Sequence, residues 1–504
     1  MKPEHWLLPE KPYATYQQYL AENRPSAVAT ALSTEPADIV AELGRSGLRG
    51  RGGSGSPTAL KWRAVAGHPA STRVVVMNAA ETEPGSFKDR YLIRYNPYAA
   101  LEGLRIAAHV VGARDLYVAT RARYRGEIDR LRDAIRELTA DGVFDGVRVT
   151  VVEGPAEYLF GEEKALLNFI EEGQPLPREA HQTPVERGLF ASAASPNPAL
   201  VSNVETLARV STIVRGGAES FRALGTADTP GTVLFTVSGD VVKPGVYELE
   251  AGTSLRHLLY EVAGGPRAWR RLKVVLAGLS GGVITPDRFD TPADFGSMAL
   301  IGSALGAGGF VAYDDTRNVP RIASALARFF YVESCNQCPS CKQGFRLASS
   351  AIDELFDATK ATPDDPERAL YGARSAPQGH RCYLPVQGAT VVPSLISRFR
   401  GEFEARYREP MAPTESVPVP LFVDFVEPTR TFVIDDSFAR KRPDWTYAEP
   451  VPRERGDVEA RPESLSDALG VRVAPDLAEA LRKRADQEGL DLDRLVDRLL
   501  RERI

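Results

Sequence analysis

Four cysteines in 504 residues carry the clearest chemistry in this chain. Three stand together as Cys335-Asn-Gln-Cys338-Pro-Ser-Cys341, and the fourth, Cys382, follows at a distance. Two-residue gaps let one tight loop present three thiolates, and a remote segment closes the fourth side of a cubane. The count matches one [4Fe–4S] cluster with no sulfur left over. Zinc also takes four thiolates, usually as two separated C-x2-C pairs, and four buried free thiols are the remaining alternative. Lys342 and Arg346 follow on the expected helix, where their charge and the helix N-terminus would offset that of a thiolate-bound cluster.

A second candidate is the loop Gly47-Leu-Arg-Gly-Arg-Gly-Gly-Ser-Gly-Ser-Pro-Thr58, with glycines at 47, 50, 52, 53 and 55 and Arg49, Arg51 and Lys61 beside them. Glycines let a backbone approach a phosphate and turn its amides toward it. No Gly-Lys-Ser/Thr follows, so it is not a Walker loop, nor is it a plain G-x-G-x-x-G after a strand. Taken alone, the loop is equally a flexible turn.

The elements that must hold these groups read as α/β. Strands are expected at Arg73–Met77, Asp115–Ala119 and Val147–Val152, with helices at Pro97–Val111, Ile128–Leu138 and Leu159–Ile170. That alternation predicts a parallel sheet in a Rossmann-like domain over about the first 220 residues. From Gly231 a strand, turn, strand, helix, strand order predicts a β-grasp module. Residues 320–410 read as helices interrupted by the cysteines. The expected divisions are 1–40 helical and peripheral, 41–225 α/β, 226–318 β-grasp, 319–410 helical, 411–469 an extended connector, and 470–504 a separate unit.

The glycine loop with the following Ala59-Leu-Lys-Trp62 resembles the signature of the flavin-bearing 51 kDa family of respiratory complex I subunits, also found in NAD-linked hydrogenases and formate dehydrogenases. Asn78-Ala-Ala-Glu-Thr-Glu-Pro-Gly-Ser-Phe-Lys-Asp-Arg90 resembles its second motif, Tyr158-Leu-Phe-Gly-Glu-Glu-Lys-Ala-Leu166 its third and Val201-Ser-Asn-Val-Glu-Thr206 its fourth. Glu333-Ser-Cys-Asn-Gln-Cys-Pro-Ser-Cys-Lys-Gln-Gly344 resembles its cluster motif. The five motifs keep the family's order over roughly residues 40–405.

The resemblance implies an FMN domain, a β-grasp (SLBB-like) domain and a helical bundle holding a [4Fe–4S] cluster, with NADH reducing the flavin. It implies cofactor contacts for Gly50, Arg51, Gly52, Gly53, Gly55, Lys61, Asn78, Glu81, Tyr158, Gly161, Glu162, Ser202 and Asn203. Lys61 and the loop amides suit the FMN phosphate; the asparagines suit ribityl hydroxyls and ring edges. Glu83 and Glu163 map to catalytic carboxylates near the nicotinamide, although Glu162 and Glu163 equally suit a helix start. A [2Fe–2S] subunit or ferredoxin is the expected partner.

Several positions depart from the family pattern. Ser56, Ala64 and Thr183 stand where the resemblance implies aromatics that grip adenine, which puts NAD(H) binding in question. Ala80 replaces an aspartate and Ser202 an asparagine. A second reading follows: a module exchanging electrons with ferredoxin or a partner subunit without binding NADH.

Net charge is -5 and pI about 5.9, which argues against nucleic acid as a partner. No run approaches a membrane span and no secretory signal is evident, so a cytoplasmic setting is expected. Residues 471–504 resemble a ribbon-helix-helix unit. Their eight basic and eight acidic residues favour homodimerisation over DNA contact, and so weigh against a DNA-binding redox sensor.

Overall fold

The computed structural model describes residues 6–192, 195–408 and 416–448. The expected dimerisation unit at 470–504 lies outside the described residues.

Three short helices, α1 (Tyr16–Glu22), α2 (Ala27–Leu32) and α3 (Pro36–Ser46), open the chain. After the glycine loop come α4 (Thr58–Ala66), β1 (Val74–Ala79), α5 (Lys88–Tyr95) and α6 (Pro97–Val111). Next are β2 (Asp115–Arg121), α7 (Arg125–Ala140), β3 (Arg148–Gly154), a 3-10 turn at Tyr158–Gly161 and α8 (Glu163–Glu172). The domain closes with β4 (Ala199–Asn203), α9 (Val204–Gly216) and α10 (Ala218–Arg222). All strand pairings are parallel, in the order β3-β2-β1-β4. Valines 74 to 76 and Met77 are buried, as a central parallel strand covered on both faces requires.

Helix α6 owes its limits to local chemistry. Asn96 Oδ1 accepts the Ala99 amide at 3.2 Å, Pro97 occupies the first turn, and Gly112 takes φ 71° just past the end. It crosses α9 at Gly103, where a Cβ would lie 2.0 Å from the Leu207 carbonyl oxygen.

The N-terminal helices are less peripheral than the sequence suggests. Tyr16 and Tyr19 hydroxyls donate to Glu102 of α6 at 3.0 and 2.9 Å, and all three side chains are buried.

The β-grasp sheet contains β5 (Thr232–Gly239), β6 (Gly245–Glu250), β7 (Leu272–Ala277) and β8 (Gly309–Asp314), ordered β6-β5-β8-β7. A helical turn at His257–Val262 and α11 (Phe295–Leu300) cover it. Strand β8, parallel to β5, was not apparent in the sequence. Glu248 on β6 ties this sheet to the α/β domain: Arg209 Nη1 of α9 donates to it at 2.9 Å, as do the amides of Leu7 and Leu8 at 2.9 and 2.8 Å.

Helices α12 (Val319–Glu333), α13 (Pro339–Glu354), α14 (Asp365–Ser375), α15 (Leu384–Arg398) and α16 (Arg400–Arg408) form the expected helical region. Helices α13 and α14 touch backbone to backbone at Gly344 and Gly372; a Cβ on either would fall within 2.6 Å of the other's carbonyl oxygen.

The expected connector is ordered over 416–448. It forms an antiparallel hairpin, β9 (Phe422–Val426) and β10 (Thr431–Ile434). Phe422 and Phe425 are buried, Phe425 and Phe432 lie 6.1 and 5.8 Å from Phe87, and Arg90 Nη1 donates to the Phe422 carbonyl at 2.9 Å. Aromatic burial outweighs the proline and charge density that made the segment read as a linker. Among the described residues no helix is long and apolar enough to cross a membrane.

Candidate active site

In a parallel sheet ordered β3-β2-β1-β4, the chain runs outward from β1 and returns on its other side. The crevice beyond the carboxyl ends of β1 and β4 is therefore the place for a ligand. A cavity of about 840 Å³ lies there, toward the upper end of the volumes usual for ligand pockets. Three domains wall it. The α/β domain contributes the glycine loop, Lys61 and the ends of β1 and β4; the β-grasp domain contributes Ser280, Phe295 and Ser303; the helical domain contributes Tyr383, Leu384 and Gln387.

Most of the residues singled out in the sequence meet here: Gly50, Gly52, Gly53, Lys61, Asn78, Glu81, Glu83, Tyr158, Gly161, Glu162, Glu163, Ser202 and Asn203. Arg51 and Gly55 do not line it. The Arg51 side chain turns beneath the loop, where Nη2 donates to the Pro230 carbonyl at 3.0 Å and burial lowers its pKa to about 10. It anchors the loop from behind. Gly55, at φ 64°, sits against Phe295, whose ring would lie 2.5 Å from an added Cβ.

The carboxylates are held differently. Glu81 spends its oxygens inside the protein, on Ser86 Oγ, the Asp89 and Arg90 amides and Arg90 Nε, at 2.8 to 3.1 Å. Burial opposes its charge, but Arg90 and the amides hold its pKa below the usual range. It shapes the cavity rather than offering a free acceptor. Glu162 caps α8 by accepting the Ala165 amide at 2.9 Å, and burial pushes its pKa up to about 7. Glu163 pairs with Lys61, whose ammonium also donates to the Val201 carbonyl at 3.0 Å. Glu83 is buried; it accepts Tyr158 Oη at 2.7 Å and the Leu279 amide at 2.6 Å, and burial raises its pKa.

The asparagines are pinned. Asn78 Nδ2 donates to the Gly161 carbonyl at 2.9 Å. Asn203 caps α9 through Oδ1 and gives Nδ2 to Asp89 at 2.6 Å. Asp89 also lines the cavity and pairs with buried Lys88 at 2.7 Å. Sequence reasoning passed over this pair, because adjacent charges usually mark a solvated face. It also passed over Thr58, Trp62 and Gln387, which line the cavity.

The residues present fit FMN. Thr58 Oγ1 and Trp62 Nε1 are buried without a protein partner, a state that calls for a ligand acceptor. The side-chain direction of Gly53 opens onto free space, leaving the loop backbone accessible to a phosphate. Of the departures from the family pattern, Ser56 and Thr183 line the cavity, whereas Ala64 is exposed on α4 and lies off it.

The cysteines meet as expected. Asn336, at φ 67°, turns the chain between Cys335 and Cys338, and Cys338 stands at the N-cap of α13. Cys335, Cys338, Cys341 and Cys382 line one small pocket with Leu159, Leu384 and Pro385. Among the described residues no three His, Cys, Asp or Glu side chains gather as around a single ion. Four sulfurs lining one pocket are the donor set that a [4Fe–4S] cluster takes. Burial pushes the Cys341 thiol up to about 12; bound iron would supply the charge that favours thiolates. Lys342 donates to the carbonyl oxygens of Tyr331, Ser334 and Pro443 at 2.5 to 3.0 Å, and its charge also acts on the Cys335 and Cys341 thiols in the direction that favours thiolates; Arg346 is exposed. Leu159 and Leu384 line both the cysteine pocket and the large cavity.

Comparison with known proteins agrees with this geometry. Residues 43–212 match the Nuo51 FMN-binding domain, 234–287 the SLBB domain, and 321–406 the NADH-ubiquinone oxidoreductase-F iron-sulfur binding region. The second F-type subunit of NADH-quinone oxidoreductase from Rhizobium meliloti is 35% identical over 75% of this chain and 90% of its own length. The F-type subunit of the same oxidoreductase from Aquifex aeolicus is 32% identical over 78% of this chain and 92% of its own. The crystal structure of an air-oxidized NAD+-reducing [NiFe]-hydrogenase superposes with a TM-score of 0.69 at 31% identity, covering 81% of this chain and 68% of that one. With motifs, fold and site in agreement, this chain belongs to the 51 kDa family, the F-type subunits of NADH-quinone oxidoreductase.

Proposed function

We propose that this chain is a flavin- and iron–sulfur-dependent oxidoreductase subunit that takes electrons from NADH in the large cavity and passes them through the cysteine-held cluster to a partner. The observation that carries this is the shared wall. Leu159 and Leu384 face the flavin-sized cavity on one side and the four cysteines on the other. FMN bound there interconverts paired and single electrons, and a [4Fe–4S] cluster relays single ones. Lys61 and the amides of Gly52 and Gly53 hold the phosphate, Asn78 and Asn203 orient the polar edge of the cofactor, and Glu83 and Glu163 face the nicotinamide. The relatives are named as subunits, which supports a partner chain here; a [2Fe–2S] protein or ferredoxin in the cytoplasm is the proposed one, with homodimerisation through the C-terminal unit.

One observation favours a second reading. Ser56 and Thr183 leave two cavity positions without the rings that would stack a nucleotide base, so a donor other than NADH is the alternative. Anaerobic mixing of flavin-loaded protein with NADH, NADPH or reduced ferredoxin, followed by flavin bleaching, separates the two. Bleaching by micromolar NADH supports the first reading. Bleaching by ferredoxin alone supports the second.

A further inference from the structure

Four aromatic side chains line the large cavity: Trp62, Tyr158, Phe295 and Tyr383. Three of them are already engaged within the protein. Trp62 is fully buried. The Tyr158 hydroxyl lies 2.7 Å from Glu83 Oε2 and 3.0 Å from Gln387 Oε1, and its ring meets Phe329 edge-on at 5.3 Å. Phe295 lies against Gly55, with Arg49 Cζ 4.6 Å from its ring centroid. Tyr383 differs. It is 60% exposed, and among the described residues its hydroxyl has no hydrogen-bond partner and its ring stacks on no other ring or cation. A lone exposed ring is ordinary on an outer surface, but this one stands in the wall of a cavity.

Its backbone is fixed from both sides. Tyr383 directly follows Cys382, one of the four cysteines sharing a pocket, and its carbonyl accepts the Val386 and Gln387 amides at 3.0 and 3.1 Å where α15 begins. A tyrosine has only two side-chain torsions to settle, so a ring on such a backbone loses little entropy when it meets a flat partner. The segment carrying Thr183 is tied to the same place: Arg381 Nη2 pairs with Glu179 at 2.5 Å. The side chains this segment gives the cavity, Ala180, Thr183 and Pro184, are small, so nothing bulky from it covers the ring.

We propose that Tyr383 binds the electron donor by stacking its ring on the purine base of a dinucleotide. NADH has two flat ends. The nicotinamide reacts and belongs where water is excluded, whereas the base takes no part in the chemistry and suits a ring left open to solvent. Stacking on an aromatic face needs no hydrogen bond from the protein. Ser56 and Thr183 bring no ring to this cavity; Tyr383 supplies one from the helical domain. The inference rests on the reading of the cavity as an NADH site.

The test uses ADP-ribose, which carries the base and both phosphates but no nicotinamide. Its binding to the oxidised protein, with flavin and iron in place, is measured by calorimetry beside an anaerobic NADH titration. Tyr383→Ala is expected to weaken ADP-ribose by about fivefold or more. It should raise the NADH concentration for half-maximal bleaching by a similar factor and leave the bleaching rate at saturation within about twofold, the pattern of a contact made equally before and during the reaction. Tyr383→Phe keeps the ring and should bind ADP-ribose within about twofold of the wild type. The proposal is overturned if Tyr383→Ala, with wild-type flavin and iron content, binds ADP-ribose as the wild type does. Equal losses in Tyr383→Phe and Tyr383→Ala overturn it too, as does a wild type that fails to bind millimolar ADP-ribose. Should Tyr383→Ala not fold or not hold its iron, Tyr383→Leu, which keeps the bulk without the π face, gives the same comparison. A flavin left unbleached by NADH defeats the proposed function, whereas equal ADP-ribose binding by the wild type and Tyr383→Ala defeats this inference alone.

Discussion

Restoring aromatic rings at positions 56 and 183 should tighten NADH binding, and restoring one at position 64 should not. Ser56 lies in the cavity and is exposed, and its neighbour Gly55 is fixed against Phe295. A phenylalanine there has a set backbone and open space to fill. Thr183 also lines the cavity, but its Oγ1 accepts the Glu186 amide at 3.1 Å. Thr183→Phe therefore loses a local cap and costs about 1 kcal/mol of stability. Stacking a ring on a base contributes about 1–3 kcal/mol. Two rings at the lower end give about 2 kcal/mol, or about 30-fold in affinity at tenfold per 1.4 kcal/mol. Ala64 is exposed and off the cavity, so Ala64→Phe predicts no change. The assay is anaerobic titration with NADH, read by flavin bleaching, with flavin content measured for each variant. The reasoning fails if Ser56→Phe/Thr183→Phe retains its flavin yet binds NADH within twofold of the parent, or if Ala64→Phe tightens binding as much as the pair.

Three further outcomes are expected. Cys382→Ser should purify with markedly less iron and lose the broad visible absorbance of the cluster while keeping its flavin; iron content equal to the parent would remove Cys382 from the ligand set. Gly372→Ala places a methyl 2.6 Å from the Gly344 carbonyl oxygen and 2.9 Å from the Ala348 amide nitrogen, and it should lower stability by about 1–3 kcal/mol in thermal unfolding despite alanine's better helix propensity. An unchanged or higher Tm would mean the two helices are not in backbone contact. Glu248→Gln leaves the Arg209 guanidinium buried beside Glu205 without its second carboxylate and weakens the hold on Leu7 and Leu8. A loss of about 3–5 kcal/mol in denaturant unfolding is expected, with faster proteolysis of the N-terminal segment; a loss below about 1 kcal/mol would show that the pair contributes little.

Elements whose limits are set by neighbouring residues were legible in the sequence. Asn96, Pro97 and Gly112 fix α6 without help from the rest of the fold. The valines of β1 mark a buried strand in any context. Strands β4 and β8 were not read as strands. The first is five residues long and follows Pro196 and Pro198; the second follows Gly306 and Gly308, so each looks like a loop until neighbouring strands pair with it, β1 for the first and both β5 and β7 for the second. The hairpin at 422–434 was hidden in the same way, because Phe425 and Phe432 acquire their partner, Phe87, and Phe422 its partner, Phe432, only in the folded chain. The site divides along the same line. The cysteines were legible because cluster chemistry demands their types and spacing. Asp89, Trp62 and Gln387 were not, since an ordinary polar or aromatic residue gains a role only from what faces it. Arg51 shows the converse: a charge within a phosphate-loop pattern that folding turns inward, to the Pro230 carbonyl.

Two short segments account for most of the functional geometry. From Tyr158 to Glu162 the chain supplies the phenol on Glu83, one leucine of the wall, the carbonyl that holds Asn78 and the cap of α8. From Arg381 to Gln387 it supplies the fourth cysteine, the second leucine of the wall and the amide that meets the same phenol. Gly161 permits the approach, since a Cβ there would lie 2.2 Å from Thr82 Oγ1. The shared wall is made of two apolar side chains, both nearly fully buried, and neither can carry a proton. Glu83 and Glu162, both raised in pKa by burial, line the cavity. Glu162 also stands close enough to Cys382 for its charge to push that thiol's pKa up, after burial, so the leucines are not the whole of the boundary between cavity and cysteines.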